Sequence, residues 1–333
     1  MRLFTWMIVL TLLLGLAGCN FPGNPAVSTP ERTGSSTNAS ATVAEPFPAT
    51  FTGPTTANFS AVVLMYHRVI DLTAAEKKDL LTTQLAVAPA DFTQELQYLK
   101  DNGYTVLRSG DIAAAARNRT PLPEKAVAIT FDDGYADNFT QVYPILKKFN
   151  MPATIFVVTG DIDKPGYLSW ANIAAMRPLV DFQSHTITHP DLSKITPTQL
   201  QKELTGAKTD LDTHLKSTTT ALAYPAGDFN AAVIAATRTA GYQYGWKKSG
   251  GPMTPGANPY ELPRIRIMGN TGVKGFASII SQKPKPASAT ISKPIKQKTP
   301  TVEKGNKPTR KNTKTPGTKS SATQSSAVIA APQ

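Results

Sequence analysis

Two short segments about fifty residues apart carry carboxylates and imidazoles in a spacing that suits hydrolytic chemistry. The first reads Thr-Phe-Asp-Asp-Gly, with neighbouring carboxylates at Asp132 and Asp133, and the second reads Ser-His-x-x-x-His, with imidazoles at His185 and His189. One carboxylate and two imidazoles are a common ligand set for a hydrolytic zinc ion, which keeps one position open for water. The second carboxylate would lie beside that water, where a general base is needed.

The residues alone leave plainer alternatives open. An Asp-Asp-Gly sequence is also an ordinary turn with a capping acid, and the two histidines could be polar loop residues. Adjacent strand residues point to opposite faces, so both carboxylates serve one site only if the chain bends, and Gly134 supplies a bend. Histidines four residues apart share one face of a helix, and a turn before Pro190 would bring them together equally well. The chain has only four histidines, so two in one segment favour the metal site.

Apolar runs that alternate with amphipathic stretches predict the elements that position these residues. They are strand 61–66, a helix around 92–99, strand 126–129, a helix over 142–149, strands 153–158 and 180–183, a helix over 200–215, strand 221–225 and a helix over 231–240. This alternation indicates an α/β fold of parallel units, closed into a barrel or laid out as an open sheet. His67, the Asp pair, His185 and Tyr224 each follow a strand, at the edge that carries the active site in barrels.

The N-terminus has the pattern of a bacterial lipoprotein signal. Residues 1–18 combine a charged start, a short apolar run and small residues, and Cys19, the only cysteine of the chain, follows directly. A leftover buried thiol is the alternative, but the pattern predicts lipidation of Cys19 with acyl chains such as palmitate, export, and anchoring to a bacterial membrane facing outside the cytoplasm. Residues 19–58 are rich in Pro, Ser and Thr, which predicts a flexible linker.

The C-terminus is strongly basic. Residues 283–333 contain ten Lys and one Arg against a single acid, Glu303, so this tail carries +10 of the formal net charge of +12. Such a composition predicts a disordered tail, and it leaves residues 59–282 as one folded domain large enough to build a core. We expect anionic wall polymers or lipids as partners of the tail, with a simple role in solubility as the alternative. Nucleic acid is not expected as a partner of an exported protein.

The two motifs, in this order and each after a strand, resemble those of the polysaccharide deacetylases, carbohydrate esterase family 4. The resemblance covers residues 60–270 and implies a deformed (β/α) barrel of about seven strands. It also implies a hydrolase that removes acetyl groups with one divalent metal ion, for which the ligand types favour zinc. The roles it assigns are general base for Asp132 and metal ligands for Asp133, His185 and His189.

A histidine at the start of the domain resembles the catalytic acid of one branch of this family. The usual closing motif, Leu-x-His late in the chain, is missing, and the last histidine, His214, reads as structural. Met-Tyr-His-Arg-Val around His67 is instead similar to the circularly permuted branch, which includes exported poly-N-acetylglucosamine deacetylases. His67 would then protonate the departing amine; a core or capping histidine is the alternative.

The third motif departs from the family pattern, which is usually Arg-Pro-Pro-Tyr-Gly. Ala223 stands in place of the Arg that orients the base in the family, and Ala226 stands in place of the Tyr. Ala226 can still supply a backbone N–H to an oxyanion hole. Arg264 is our candidate for the missing guanidinium, with an ordinary surface arginine as the alternative, and Arg68 is a weaker candidate.

These inferences lead to one main hypothesis and two rivals. The main hypothesis is a metal-dependent deacetylase of an N-acetylated extracellular or cell-wall polysaccharide, either poly-N-acetylglucosamine-like or the glycan of peptidoglycan. The rivals are a metal-containing glycan-binding module with little or no turnover, and an esterase that removes O-acetyl groups from xylan-like polymers. Tyr224, Trp246 and Trp170 are candidates for contacts with sugar rings, with ordinary core aromatics as the alternative.

Overall fold

A computed structural model describes residues 54–284. The predicted signal 1–18, Cys19, most of the predicted linker and the tail from residue 285 onward lie outside the described residues. Within residues 54–284, none of the helices combines the length and apolar character that crossing a membrane requires.

Strands and helices alternate along most of the described chain. The strands are β1 Thr55–Thr56, β2 Val62–Tyr66, β3 Arg68–Val69, β4 Ala86–Val87, β5 Thr105–Leu107, β6 Leu122–Pro123, β7 Ala126–Asp133, β8 Ala153–Val157, β9 Val180–Ser184, β10 Ala221–Ala223, β11 Tyr244–Trp246 and β12 Ile265–Arg266. The α-helices are α1 Leu80–Leu85, α2 Pro89–Asp101, α3 Ser109–Asn118, α4 Tyr143–Phe149, α5 Trp170–Met176, α6 Pro197–Leu215, α7 Ala231–Thr239 and α8 Gly272–Ile280. Short 3₁₀ turns cover Glu76–Lys78, Thr159–Asp161 and Pro225–Gly227, and a π-helical turn covers Asn138–Val142.

The central sheet is parallel and curled, and it confirms the predicted deformed barrel. Seven strands follow one another in the order β11-β10-β9-β8-β7-β2-β12, and β5 pairs with β7 beside this path. The first residues of β7 pair with β5, and its last four residues pair with β8. Because neighbouring strands are parallel, their carboxyl ends meet at one edge of the sheet, where the candidate site lies.

A short segment connects the two ends of the seven-strand path. Leu262 forms a parallel bridge with Trp246 at the end of β11. Three residues later, β12 pairs in parallel with β2, with Arg266 opposite Met65. The segment 262–266 therefore runs from one edge of the curled sheet to the other and carries Arg264 between them.

Side-chain alternation in β7 separates two layers of the core. Val127, Ile129 and Phe131 pack on one face, in the cluster that includes residues of the surrounding helix α2. Ala126 and Ala128 point to the other face, into a cluster that also contains Phe59, Ala61, Val63, Phe156, Ala221, Ala223, Trp246 and Leu262 and that we call the inner cluster. Small alanines on this face leave room inside the curled sheet for large side chains such as Trp246.

All strands and helices predicted from the apolar pattern are present, with ends shifted by a few residues. One predicted boundary is wrong. Residues up to 58 were expected to belong to the linker, but Thr55–Thr56 form β1, which pairs antiparallel with Leu122–Pro123. The first strand therefore begins four residues before residue 59, the predicted start of the domain, because backbone pairing can order a polar segment that lacks apolar periodicity.

Candidate active site

The alternation of side chains along two neighbouring strands brings His67 and Asp132 to one cavity. In β7, Ala128 belongs to the inner cluster, and Asp132, four residues further, lies on the same face. In β2, Val63 belongs to the inner cluster and Met65 lines the cavity. His67, two residues after Met65, lines the same cavity. The inner face of the sheet thus turns from apolar to ionisable where its strands end.

This cavity has a volume of about 480 Å³, which lies within the roughly 300–1,000 Å³ of typical small-molecule sites. Ionisable and aromatic side chains share its wall with a few aliphatic ones. The lining residues are Met65, His67, Leu81, Leu85, Asp132, Asp133, Tyr135, Val158, Asp161, Tyr167, His185, His189, Tyr224, Ala226, Gly227, Lys248, Arg264 and Arg266.

A bend at the end of β7 lets both carboxylates face this cavity. Asp133 has a φ of 73° and Gly134 has a φ of 78°, so two consecutive residues adopt the left-handed conformation. A Cβ at position 134 would lie 2.9 Å from Cγ1 of Val157. The predicted bend is therefore present, but it begins at Asp133, a non-glycine residue in a conformation that costs energy and that clusters at functional sites.

Asp133, His185 and His189 form a three-residue cluster that could hold a metal ion. One ligand atom from each lies within 4.8 Å of the others. Oδ1 of Asp133 is 3.5 Å from Nε2 of His185 and 3.7 Å from Nε2 of His189. The two imidazole rings meet edge to face, with centroids 4.7 Å apart. His189 lies in a turn with a φ of 55°, not on a helix, so the turn before Pro190 is the arrangement that occurs.

The surroundings of the histidines prepare them as ligands. Nδ1 of His185 lies 2.8 Å from the carbonyl oxygen of Ala223, so a proton on Nδ1 leaves Nε2 free to bind a metal. Burial lowers the pKa of His185, which favours the neutral imidazole that a metal ion requires. The carboxylate of Glu203 accepts hydrogen bonds from the backbone N–H groups of Ile187 and Thr188, at 2.8 and 2.9 Å, and so fixes the loop between the histidines.

The donor set fits a hydrolytic divalent ion. Two imidazole nitrogens and one carboxylate oxygen converge, and His185 is almost fully buried while the side chain of His189 is 39% exposed. One side of the cluster therefore remains accessible from the cavity. Three protein ligands with an open fourth position are typical of catalytic zinc sites, and imidazole and carboxylate ligands also suit other divalent metals.

Asp132 forms a bidentate ion pair with Arg264. Nη1 of Arg264 donates to Oδ1 of Asp132 at 2.6 Å, and Nη2 donates to Oδ2 at 2.7 Å. The arginine also donates to the carbonyl of Lys247 and to the hydroxyl of Thr130, at 3.2 and 3.3 Å, and its guanidinium lies over the ring of Phe156. The side chain of Arg264 is 1% exposed. It is therefore not an ordinary surface arginine.

The charge on Asp132 is stabilised by this arginine. Burial by itself raises the pKa of the Asp132 carboxyl, but the charge of Arg264, the nearby His185 and the hydrogen bonds from Arg264 outweigh it and lower the pKa to about 2. Asp132 is therefore an anion at neutral pH. Arg68, the weaker candidate for the same role, instead donates to Asp137 at 2.9 Å and lies over the ring of Tyr135.

His67 is held by a network at the start of the π-helical turn. Its carbonyl accepts a hydrogen bond from Nδ2 of Asn138 at 3.1 Å. The carboxylate of Asp137 accepts from the Arg68 side chain and from the backbone N–H of Val69, both at 2.9 Å. Burial, together with the positive charges of Arg266 and Arg264, lowers the pKa of His67 to about 4 despite the opposing effect of Asp132. His67 is therefore neutral near pH 7.

The turn after β10 places Ala226 at the wall of the cavity. Pro225–Gly227 form a 3₁₀ turn in which Ala226 has a φ of 52°. The left-handed conformation of a residue with a side chain points to a functional constraint on this turn. Ala226 thus lines the cavity, and its role as an oxyanion-hole donor stays a prediction.

The aromatic residues predicted to contact sugar occupy other places. Trp246 is fully buried in the inner cluster against Phe156, so the prediction of a sugar contact is wrong and the core alternative holds. Tyr224 lines the cavity, but its hydroxyl donates to the carbonyl of Tyr260 at 3.0 Å and its ring is buried. Trp170 is not among the cavity-lining residues; it stacks on His214, whose ring centroid is 3.8 Å away.

Comparison with known proteins decides the family. A family model described as polysaccharide deacetylase matches residues 119–245. The protein YxkH of Bacillus subtilis, whose name places it among polysaccharide deacetylases, is 32% identical over 216 residues, which are 65% of this chain and 73% of that protein. The chain belongs to the polysaccharide deacetylase family.

Two further relatives extend this result. The poly-β-1,6-N-acetyl-D-glucosamine N-deacetylase of Staphylococcus aureus is 27% identical over 232 residues, 62% of this chain and 79% of that protein. The structure of the Streptococcus pyogenes deacetylase PplD in complex with acetate is similar with a TM-score of 0.64 at 30% identity, covering 68% of this chain and all of that one. The chain is thus a deacetylase enzyme, while the circular permutation and the role of His67 as the acid stay predictions.

Several residues of this polysaccharide deacetylase site were missed by sequence reasoning. Tyr135 directly follows the Asp-Asp-Gly bend, and Arg266 lies two residues after Arg264 on a strand, so both positions had a signal in the sequence. Leu81 and Leu85 of α1 had none, because a helix of six residues with no buried side chain has no apolar stripe to recognise. Glu203 lies on a predicted helix, but its contact with the histidine loop depends on tertiary packing.

Proposed function

We propose that this deacetylase depends on a divalent metal and removes acetyl groups from the amide nitrogen of an N-acetylated polysaccharide outside the cytoplasm. The observation that carries the proposal is the buried Asp132 carboxylate, held at both oxygens by Arg264, beside the convergent Asp133, His185 and His189. The relative from Staphylococcus aureus, named for poly-β-1,6-N-acetyl-D-glucosamine, supports a glycan of this kind as the substrate.

Asp133, His185 and His189 would hold the metal ion, with zinc favoured by the ligand types. A divalent ion bound there supplies Lewis acidity toward a water molecule and toward the acetyl carbonyl. Asp132 does not need to serve as a ligand, because Asp133, His185 and His189 already supply three convergent ligand atoms. Its role is that of a base: it takes a proton from the attacking water.

The proton balance follows from the charge states of the free site. Asp132, with a pKa of about 2, and His67, with a pKa of about 4, are both unprotonated at neutral pH. The proton that the departing amine gains is therefore the one lost by the water when its oxygen bonds to the acetyl carbon. We infer that it passes from Asp132 to the neutral imidazole of His67 and from there to the nitrogen as the C–N bond breaks, which gives acetic acid and a free amine. The acid then gives up its own proton at neutral pH, so the final products are acetate and an ammonium group.

Ala226 is assigned to the oxyanion hole. Its position on the cavity wall suits a backbone N–H that stabilises negative charge on the oxygen of the acetyl carbonyl, and a contribution of this type typically supplies a few kcal/mol. The rival of a binding module without turnover rested on the missing third-motif arginine. The two hydrogen bonds from Arg264 to Asp132 supply a guanidinium beside the proposed base, which supports a catalyst over this rival.

Acetate release from N-acetylglucosamine oligomers tests the proposal. The purified protein is expected to release acetate, to lose activity on chelation and to regain it with zinc or another divalent ion, and Asp132→Asn is expected to be inactive. O-acetylated xylan oligomers form the second arm. Preference for the ester would overturn the assignment to N-acetyl groups, and activity that survives chelation would overturn metal dependence.

We further propose export and anchoring through a lipid on Cys19. The support is the sequence pattern of residues 1–19, followed by a linker long enough to hold a domain away from a surface. Expression of the full chain and of Cys19→Ser in a bacterium, followed by membrane fractionation and mass spectrometry of the N-terminal peptide, tests this proposal. An unmodified Cys19 in the wild-type membrane fraction would contradict it.

A further inference from the structure

Arg266 is a second arginine of the cavity that the proposed chemistry does not use. It follows Arg264 by two residues along the segment 262–266, and its own position is in β12, which Arg264 precedes. Both side chains line the cavity. Arg264 reaches the deep carboxylate of Asp132, whereas Arg266 lies opposite Met65, nearer the end of β2. Arg266 lines the cavity and is close enough to His67 to influence its charge state.

The two arginines differ in how their N–H groups are satisfied. Arg264 donates from Nε, Nη1 and Nη2 to four acceptors. Nε and Nη2 of Arg266, by contrast, are shielded from solvent and have no hydrogen-bond partner within residues 54–284. No ion pair of Arg266 with an acid occurs in this part of the chain either. A buried charged donor without an acceptor is costly, so this arginine is held at the cavity for something other than stability.

The pattern of the two unsatisfied atoms indicates the shape of the missing acceptor. Nε–H and Nη2–H lie on one edge of the guanidinium and point in parallel, about as far apart as the two oxygens of a carboxylate. This edge forms a bidentate pair with a carboxylate, which a hydroxyl or an amide oxygen cannot reproduce. Two parallel unsatisfied donors therefore favour a planar anion over an uncharged sugar group.

The charges around the cavity agree with an anionic ligand. Three acids and three bases line it: Asp132, Asp133, Asp161, Lys248, Arg264 and Arg266. Their formal charges cancel, and a divalent ion held by Asp133, His185 and His189 would leave the cavity with a net positive charge. Such a site attracts an acidic glycan more strongly than a neutral one.

We propose that Arg266 binds a carboxylate on the substrate glycan, carried by the sugar that is deacetylated or by its neighbour, so that the preferred substrates are acidic N-acetylated glycans. This inference rests on the proposed deacetylase function and deepens it by naming the chemical class of the substrate. The guanidinium edge is covered in the free protein, so the side chain turns toward the cavity when the glycan enters. Side-chain rotation of this kind is common when a ligand binds.

A matched pair of glycans tests the proposal without relying on turnover. The probes are an oligosaccharide of alternating N-acetylglucosamine and glucuronic acid and its methyl ester, which differ only in the carboxylate charge. Calorimetry with the zinc-loaded protein is expected to show roughly ten- to a hundredfold tighter binding of the acid than of the ester, the range of a charge-assisted bidentate pair. In Arg266→Gln this ratio is expected to fall to about one, and Arg266→Lys is expected to keep only part of it.

Three further measurements separate the outcomes. Arg117→Gln on the exposed end of α3, which does not line the cavity, is the matched control and should keep the wild-type ratio. Free acetate is tested as a competitor of the acidic glycan. If acetate displaces the glycan at similar concentrations, the site is one for released acetate and the proposal is overturned. Equal binding of acid and ester by the wild type also overturns it. Absence of acetate release from every glycan, with the acid still preferred in binding, would refute the deacetylase function instead.

Discussion

Removing Arg264 should convert a stabilising contact into a buried unpaired charge. The side chains of Arg264 and Asp132 are 1% and 4% exposed and are joined by two short hydrogen bonds. The pKa of Asp132 falls from 3.8 to about 2 in this environment, even though burial raises it. At about 1.4 kcal/mol per pKa unit, the native environment favours the charged form by about 2 kcal/mol net. Breaking a buried pair typically costs about 3–5 kcal/mol.

A double-mutant cycle measures this coupling. Arg264→Met, Asp132→Asn and the double variant are unfolded in urea at pH 7 after chelation, so that metal binding does not contribute. We expect each single substitution to be strongly destabilising and the double to be less so than their sum, with a coupling of at least about 2 kcal/mol. The exposed pair of Lys194 and Asp191 gives the control cycle, Lys194→Met with Asp191→Asn, which should be additive within error.

The pH dependence of the same variants provides a second readout. A carboxyl whose pKa is lowered by folding stabilises the protein above its unfolded pKa of about 4, and that contribution is lost as the pH falls toward 2. The wild type should lose about 2 kcal/mol from this group across that interval, and Asp132→Asn should not. Additivity of the cycle, or the same acid dependence in both proteins, would refute the claim that Arg264 orients a charged Asp132.

Three further predictions concern other parts of the structure. Glu95 accepts a hydrogen bond from the hydroxyl of Tyr66, and burial raises its pKa to about 8. The stability of the wild type should therefore fall as the pH rises from about 5 to about 8. In thermal melts over that range Glu95→Gln should lack this fall, and the same pH dependence in both proteins would contradict a buried neutral Glu95. Glu203→Gln should weaken zinc binding about 10- to 100-fold in a chelator competition, because it loosens the loop between the metal ligands, whereas unchanged affinity would show that the loop needs no such support. Gly134→Ala should destabilise the protein by about 1–3 kcal/mol in urea unfolding, since the left-handed φ and the contact with Val157 both oppose a Cβ; a cost close to zero would mean that the bend relaxes easily.

The sequence predicted those site residues that directly follow a recognisable apolar strand. The apolar runs before His67, Asp132 and His185 are long enough to identify as strands, and parallel neighbours must deliver their ends to one edge. Ligand chemistry predicted a cluster of one carboxylate and two imidazoles, and the family resemblance assigned the carboxylate to Asp133. The structure places Asp133, His185 and His189 together. The sequence pattern and the structure agree for these residues because each of them lies at the end of a strand that the sequence already predicts.

Other parts depended on contacts that the sequence does not encode locally. Strands β5 and β12 have three and two residues, too few to show a period. Arg264 meets Asp132 across 132 positions of sequence because the segment 262–266 connects the sheet edges. Trp246 was wrongly predicted to contact sugar, because its burial depends on alanines of other strands that leave room for it inside the curled sheet, and this tertiary packing is not visible in the local sequence. The first folded strand, Thr55–Thr56, was missed because its pairing partner lies 66 and more residues away.

The most direct test of the central claim is the rate of acetate release from an N-acetylglucosamine oligomer by zinc-loaded wild type and Asp132→Asn, with bound zinc quantified in the same samples. The account predicts one zinc per chain in both proteins and a loss of at least about a hundredfold in kcat for the variant, because the base is removed while the ligands Asp133, His185 and His189 remain. Wild-type rates in Asp132→Asn at full zinc occupancy would contradict the account. Loss of zinc together with activity would show that Asp132 serves as a ligand and not as the base.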